Sequence, residues 1–355
     1  MNRSDTELGA VPQAGCHPTG VSVLIPTHGD AAFLPKPLDT LLENGNGAVE
    51  IVILNNDPAQ DVVGTIGARV NDQRVKVVEM GYEAGFSVAI NRGIHESTRE
   101  LVMLSNADLF PSSTYLLELE RFFAEHPAAG AASGKLLRYD LERDRPTTVI
   151  DSAGLVLTRQ RRIMPRGEGD EDVGQLDDEC EVFALDGAGL VVRRSALETV
   201  RVGGEYLDAS FYMHKDDHDL SWRLRLAGWE CWYVPSAVAY HGRTTRGLGS
   251  TRYRSALREF HRNEQSKSPD VRVNALKNQW LMLVKNEDGR NFVRDLPHIA
   301  LREAAVMGHH LLFAPRSLAA IPLTVRLLPE TLAKRRAIKQ GQVLAPRALR
   351  RWIRD

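Results

Sequence analysis

Within its first 110 residues the chain repeats one pattern four times: a short, uniformly apolar run, a polar break, then a stretch with helical spacing. The runs are VSVLIPTHG (Val21 to Gly29), VEIVILNND (Val49 to Asp57), RVKVVEM (Arg74 to Met80) and ELVMLSNADLF (Glu100 to Phe110). A strand with one wet face alternates polar and apolar residues. These runs do not, so they read as strands buried on both faces, which requires a parallel sheet covered by helices on both sides. Helices are expected around Leu34 to Asn44 and through Phe86, Ile90 and Ile94 of GFSVAINRGIHEST. In such sheets ligands bind beyond the carboxyl ends of the strands. Those ends carry Thr27 and His28, Asn55 to Asp57, Glu79, and Asn106 to Asp108.

From Ala132 to Asp186 the pattern weakens, and the charged, glycine-containing stretch from Gln160 to Glu181 is expected to be a mobile excursion. CEVFALDGAGLVVRRSALETV restores order as a strand, a glycine-rich bend and a strand leading into a helix; ECWYVPSAVAYHG adds a strand ending at His241. Beyond Gly249 the chain turns helical and basic. Residues 251–355 hold 21 Lys and Arg against 9 Asp and Glu, so the overall net charge of −1 conceals an acidic front and a basic tail. That division favours cation chemistry in front and a polyanionic or membrane partner behind, against the plainer reading of a solvated helical surface. Three well-separated cysteines, Cys16, Cys180 and Cys231, form neither a disulfide framework nor a zinc knuckle, which fits a reducing cytoplasm. Residues 1–20 lack the apolar stretch of a signal peptide and are expected to be a loose tail. AAVMGHHLLFAPRSLAAIPLTV, from Ala304, is broken by two histidines, Arg316 and two prolines, and falls short of a membrane span.

HKDDHDLSWRLRLAGW (His214 to Trp229) crowds three aspartates and two histidines at the mouth of a helix. Crowded carboxylates raise one another's pKa, which suits a base or a metal site. Acids also belong in a first helical turn for the dipole alone, and Asp219 sits four residues before Arg223, so Asp219 is assigned to structure. Asp217 is the better base candidate. His214 and His218 have the i,i+4 spacing of zinc ligands, and His218-Asp219 also matches the signature of all-helical phosphohydrolases, but the strand–helix alternation in front disfavours both readings. Asn106-Ala107-Asp108 puts a carboxylate where a hard divalent cation could be held, and His241, followed by Arg243 and Arg246, is a second metal-ligand candidate with cations placed for phosphate. No dinucleotide fingerprint, Walker A sequence or nucleophile elbow is present.

With these segments in order, the chain resembles inverting glycosyltransferases of family 2 with the GT-A fold, from about Val21 to Arg246, and within them the bacterial rhamnosyltransferase-like members. FYMHKDDHDLSWRLRLAGW is similar to the family's aromatic pair, acidic motif and Trp-Arg helix; VSVLIPTHG, NRGI, LSNADLF and the His of VAYHG fall in the family's order. The resemblance implies a Rossmann-like α/β domain with a mostly parallel central sheet and helices on both faces over residues 21–250, and a basic amphipathic helical region over 251–355. It implies Asp108 and His241 as ligands of Mg²⁺ or Mn²⁺, Asp217 as catalytic base with Asp216 beside it in place of the usual glutamate, and Asn106 near the ribose or the metal. Thr27 and Asn55 would line the nucleoside pocket, Asn91 and Arg92 would lie near the donor phosphates, and DGAGLVVRR would form the acceptor floor with Asp186 in contact. The partners implied are a nucleoside-diphosphate sugar, with rhamnose on thymidine diphosphate suggested, and a glycan or lipid-linked acceptor in cell-surface polysaccharide synthesis.

Such members act in the cytoplasm or at the inner face of the cytoplasmic membrane, where LAKRRAIKQ and RALRRWIRD could rest on anionic lipid. Two positions depart from the family pattern: Asn55-Asn56 replaces the usual Asp-Asn, and Glu83 replaces an Asn two residues before Gly85. Both lie on the nucleotide side. They support a competing reading, a catalytically silent GT-A module that binds glycan or scaffolds a complex. A metal-dependent phosphohydrolase or nucleotidyltransferase is the other. The basic region has little aromatic interleaving, so no nucleic-acid partner is expected.

Overall fold

A computed structural model describes residues 19–44, 48–243, 261 and 264–354. Nearly all of the expected tail, Arg246 and the boundary expected at residue 250 lie outside the described residues. The four apolar runs become β1 (Val21–Thr27), β2 (Val49–Asn55), β3 (Val75–Glu79) and β4 (Leu101–Leu104), parallel in the order β3-β2-β1-β4. Val21, Val23 and Ile25 of β1 and Ile51 and Ile53 of β2 join one apolar cluster, while Leu24, Val52 and Leu54 join another on the opposite face. Each side chain fully buried in this way is worth about 1.5–3 kcal/mol over exposure. Helices α1 (Pro35–Asn44), α2 (Val62–Ile66) and α3 (Phe86–Glu96) connect the strands. Leu38 and Leu41 of α1 feed the first cluster and Ile90 and Ile94 of α3 the second, so the helices cover both faces.

The fourth run does not stay one strand. After β4 the chain turns through residues 105–108 and resumes as β5 (Leu109–Pro111), followed by α4 (Tyr115–Glu125). Then come β6 (Ala129–Asp140), β7 (Arg145–Ser152), β8 (Leu155–Thr158), β9 (Ile163–Pro165) and β10 (Cys180–Glu181). They are followed by β11 (Leu190–Arg193), α5 (Arg194–Thr199), α6 (Asp216–Leu226) and β12 (Glu230–His241). Beyond β4 the sheet continues through β11, which is antiparallel to its neighbours, to β6, then β12 parallel to β6, and β10.

The span read as weakly patterned therefore holds the long strand β6. Its sequence, AGAASGKLLRYD, is rich in small residues because neighbours approach closely: a Cβ on Gly134 would sit 2.0 Å from the Ala237 carbonyl oxygen. Small residues carry no alternation signal, so the strand is silent in the sequence. The stretch from 160 to 181 is also not the mobile excursion expected. Gly169 and Asp172 N–H groups bond the carbonyls of Ile150 and Thr148 at 2.9 and 2.7 Å. Lys135, 7% exposed, ion-pairs with Asp172 and Asp177, and Glu168 pairs with Arg243. The charges in this stretch neutralise buried cations.

Helices α7 (Pro269–Asn286), α8 (Gly289–Phe313) and α9 (Ala320–Gln340) follow, and β13 (Ile353–Arg354) pairs in parallel with β8. Leu281 and Met282 of α7, Ile338 of α9 and Trp352 pack with Trp222 and Leu226 of α6 and Leu155 and Leu157 of β8. Some cations of the two basic stretches turn inward: Lys334 pairs with Asp208, Arg335 donates to the Val284 carbonyl and Arg350 pairs with Asp295, while Arg336, Arg347, Arg351 and Arg354 are exposed, Arg351 lying with Arg225 against Trp352. The exposed apolar surface lies elsewhere, at Leu301, Leu311, Leu312 and Phe313 of α8 and Val325 of α9. Among the described residues no helix is long and apolar enough to cross a membrane.

Candidate active site

The turn after β4 and the end of β12 are brought together by strand pairing. β5 sets Leu109 opposite His241, and the Gly242 N–H donates to the Asp108 carbonyl at 2.9 Å. His241 and Asp108 are both buried. The imidazole Nε2 lies 3.2 Å from Asn106 Nδ2 and 3.5 Å from Asp108 Oδ1, while Nδ1 lies 2.9 Å from Asp151 Oδ2. An ionised carboxylate only accepts, so Nδ1 carries its hydrogen and Nε2 is the nitrogen turned toward Asn106 and Asp108. Burial opposes charge on this ring, but Asp108 and Asp151 outweigh it and raise His241 to about 10. Two carboxylates around one imidazole favour positive charge at this spot, whether a proton or a metal ion brings it.

Asp151 holds a second cation, Arg243, whose Nε is 3.0 Å from Asp151 Oδ1. Asp30, in the loop after β1, feels Asp108 as well. Burial, with a smaller push from Asp108, raises it to about 6. Neither Asp30 nor Asp151 is apparent from the sequence. Asp30 follows a strand end and could have been included by position; Asp151 lies in the span without a periodic signal.

The second cluster opens α6. Asp216 accepts from Ser87 Oγ at 3.0 Å, tying it to the start of α3. Asp217 accepts the Gly187 N–H at 2.8 Å through Oδ2 and the His218 N–H at 2.8 Å through Oδ1. Burial first, then the charge of Asp217, pushes Asp216 up to about 8. The acid raised here, chiefly by burial, is Asp216. Asp219 is structural as expected: it binds Arg223 Nε at 2.9 Å, Asn286 Nδ2 at 2.7 Å and Lys285 Nζ at 3.0 Å. His214 stands ahead of the helix with φ 69°, so no shared helical face pairs it with His218.

The glycine-rich bend lies close to both α6 and β5. At Gly187 it donates to Asp217, and a Cβ there would lie 3.3 Å from the Asp217 Cβ. At Gly189, with φ 96°, an added Cβ would meet the Leu109 side chain at 3.3 Å, beside Asp108. Asp186 is buried and accepts the Ala188 N–H at 3.2 Å, shaping the bend itself.

The nucleotide-side residues are placed less uniformly. Thr27 ends β1 with Oγ1 buried and without a hydrogen bond among the described residues. The Asn55 amide is taken up by Glu79 at 2.7 Å, the Gln60 carbonyl at 3.1 Å and the Asp57 N–H at 3.2 Å. Asn91 is likewise bound to the backbone of Tyr206 and Leu207. Arg92 pairs with Glu96 on its own helix. Glu83 bonds Tyr212 and lies 3.6 Å from His28. Asn106, Asp108 and His241 thus converge, Asp216 and Asp217 stand across the bend, and Asn55, Asn91 and Arg92 spend their polar groups on local structure.

Among the described residues no three His, Cys, Asp or Glu side chains form a metal-holding group. Asp108 and His241 offer an oxygen and a nitrogen donor, ligand types that divalent ions accept.

The profile of glycosyltransferase-like family 2 matches residues 17–261. N-acetylglucosaminyl-diphospho-decaprenol L-rhamnosyltransferase of Mycobacterium tuberculosis is 29% identical over 196 residues, covering 47% of this chain and 58% of that protein. The chain spans less than two thirds of the length of the curated relatives it matches. Among solved structures, Staphylococcus aureus TarS 1-349 superposes with TM-score 0.55 at 12% identity, over 92% of this chain and 93% of that one. GalNAc-T7 with UDP, GalNAc and Mn²⁺ gives TM-score 0.55 at 11% identity, over 75% and 48%. These share the GT-A fold; by its profile match, the chain belongs to glycosyltransferase-like family 2.

Proposed function

We propose that the chain transfers a sugar from a nucleoside-diphosphate donor to a glycan or lipid-linked acceptor, with inversion at the anomeric carbon. The observation that carries this reading is the buried Asn106, Asp108 and His241 group after β4, with a glycine-rich bend nearby whose Gly187 N–H is bonded to Asp217 and whose Gly189 lies close to Leu109. Asp217 takes the acceptor hydroxyl proton as that oxygen bonds the anomeric carbon; the bond from that carbon to the diphosphate breaks, and the nucleoside diphosphate leaves with the electron pair. Asp108 and His241 would hold Mg²⁺ or Mn²⁺, which supplies stabilisation of charge on the departing diphosphate. Asp151 keeps His241 Nε2 facing the site, and Asn106 sits against the same nitrogen. Thr27 Oγ1, an unused polar group at a strand end, is offered to the nucleoside. The rhamnosyltransferase relative motivates thymidine-diphosphate rhamnose as the first donor to try and a cell-envelope glycan as the product.

A catalytically silent glycan-binding module is the second reading, and the saturated Asn55 amide favours it. Calorimetry with UDP, dTDP and GDP, each with Mn²⁺, Mg²⁺ or chelator, on wild type and Asp108→Ala separates the two. Metal-dependent binding of one nucleotide that is lost in Asp108→Ala supports the transferase. No nucleotide response under any metal sinks it. If the protein meets anionic lipid, the exposed apolar residues of α8 and the exposed Arg336, Arg347, Arg351 and Arg354 are the groups available to it; liposome co-sedimentation at physiological salt tests that.

A further inference from the structure

Lys215 precedes α6 in the left-handed region, at φ 67°, one residue after His214 at φ 69° and close to Tyr212 at φ 66°. Three non-glycine residues in this region within four positions are costly, about 1–3 kcal/mol each, and persist only where the surroundings impose them. Asn278 of α7 imposes them here: its Nδ2 lies 3.0, 2.8 and 2.8 Å from the carbonyls of Phe211, Met213 and His214. The next residue, Gln279, holds the Arg161 carbonyl at 2.9 Å, which draws the Arg161-Arg162 turn to the same stretch of helix.

The Lys215 ammonium so placed makes no hydrogen bond or ion pair among the described residues. The charges acting on it most strongly include Arg302, Lys267 and Arg162, with Asp217 opposing them. Burial, then Arg302 and Lys267, pull it down to about 7. Lys267 is partly neutralised by Glu264 at 2.6 Å and Arg302 by Glu303, yet Arg302 Nε is buried with no hydrogen bond among the described residues. An unpaired, half-buried ammonium among like charges is unfavourable unless a ligand supplies the anion. The proposed mechanism leaves this lysine unused, although it lies two residues from Asp217.

We propose that Lys215, with Arg302, Lys267 and Arg162 around it, binds a phosphate or diphosphate group carried by the acceptor, beside the hydroxyl that Asp217 deprotonates. This deepens the transferase reading and rests on it. The shared chemistry is a phosphate ester, with either a lipid diphosphate or a free phosphorylated sugar as its source. Leu301, next to Arg302, and Leu311, Leu312 and Phe313 further along α8 are exposed apolar residues, which fits a lipid chain leaving along this helix.

The test is calorimetry on the full chain preloaded with nucleoside diphosphate and stoichiometric Mn²⁺, titrated with inorganic pyrophosphate, farnesyl diphosphate and farnesol. Lys215→Met is expected to weaken diphosphate binding at least tenfold, with Lys215→Arg within threefold of wild type and nucleoside diphosphate affinity unchanged in both. Farnesyl diphosphate binding more tightly than pyrophosphate assigns the phosphate to a lipid; equal affinities assign it to phosphate alone. The proposal is overturned if wild type and Lys215→Met bind both diphosphates equally, if farnesol binds as well as farnesyl diphosphate, or if Lys215→Met loses the nucleotide instead. Failure of wild type to bind any nucleoside diphosphate before loading strikes the donor reading separately. Should Lys215→Met not fold, Arg302→Met gives the same comparison from another helix.

Discussion

Asp216 and Asp217 are neighbours in one helical turn, whereas Asn106 and Asp108 come from the turn after β4, Asp151 from β7 and His241 from β12, with Asn106 and His241 135 residues apart. The first cluster is held from behind. Asp219 of the same turn is gripped by Lys285 and Asn286, so the C-terminal helices set where α6 points. The second is held from within the sheet, by the β5–β12 pairing and by the buried Asp151. The contrast teaches that contiguous acids need an outside scaffold to aim them, while dispersed ligands are aimed by strand register itself.

The sharpest way to break the comparison is to remove chemistry from one side only. Asp217→Asn is expected to lower kcat by about 10²–10⁴-fold, the usual worth of a general base, with nucleotide affinity unchanged. A matching loss of nucleotide binding would mean that the two clusters are one. Asp219→Ala attacks the scaffold behind α6. It takes from the buried Arg223 its carboxylate partner, leaving the Val200 and Tyr206 carbonyls, and from Lys285 one of two, leaving Asp208; the cost expected for a broken buried ion pair is about 3–5 kcal/mol, read as a lowered denaturant midpoint.

On the strand-built side, Asp151→Asn leaves the fold but loosens the ring. Metal affinity measured by titration with nucleotide should fall about 10–100-fold while binding of apo protein to acceptor is unaffected. A pH experiment then separates the clusters by window, since Asp216 is raised from 3.8 to about 8 and His241 from 6.5 to about 10. For Asp216, the folded state binds more protons than the unfolded state between 3.8 and about 8. Stability from this group is complete below pH 4 and is lost as pH rises through about 8. Asp216→Asn should therefore gain on wild type as pH goes from 5 to 8.5 in chemical denaturation, and a parallel pH dependence in both proteins would refute the assignment. The smallest effect belongs outside both clusters: Arg92→Met, an exposed pair with Glu96, should change stability by less than about 0.5 kcal/mol and leave nucleotide affinity alone.

Much of this architecture is legible before any coordinates. Non-alternating runs such as VEIVIL have to be buried on both faces, because neither face can be left to water, and that alone requires helices above and below. The ordered motifs also locate Asp108, Asp217 and His241, since each marks a strand end or helix start. What was not legible has a common cause. β6 is built of Ala, Gly and Ser because β12 passes close by, and closeness leaves no hydrophobic period. Asp151 and Asp30 act through space on residues far away in sequence. Asn55 and Asn91 look available in a list of residues, yet nearby donors and acceptors consume them.

The sequence by itself determined the layered α/β sheet, the helix that opens with Asp216-Asp217, and the strand ends where chemistry could sit, because local periodicity and strand termination are local properties. Only the tertiary structure decided that Asp216 carries a raised pKa, that the charged stretch 160–181 serves buried cations, that Lys334 and Arg350 of the basic tail meet buried acids, and that Lys215 has no hydrogen bond or ion pair among the described residues. Burial and Coulomb energy depend on distances between residues that the chain order does not encode.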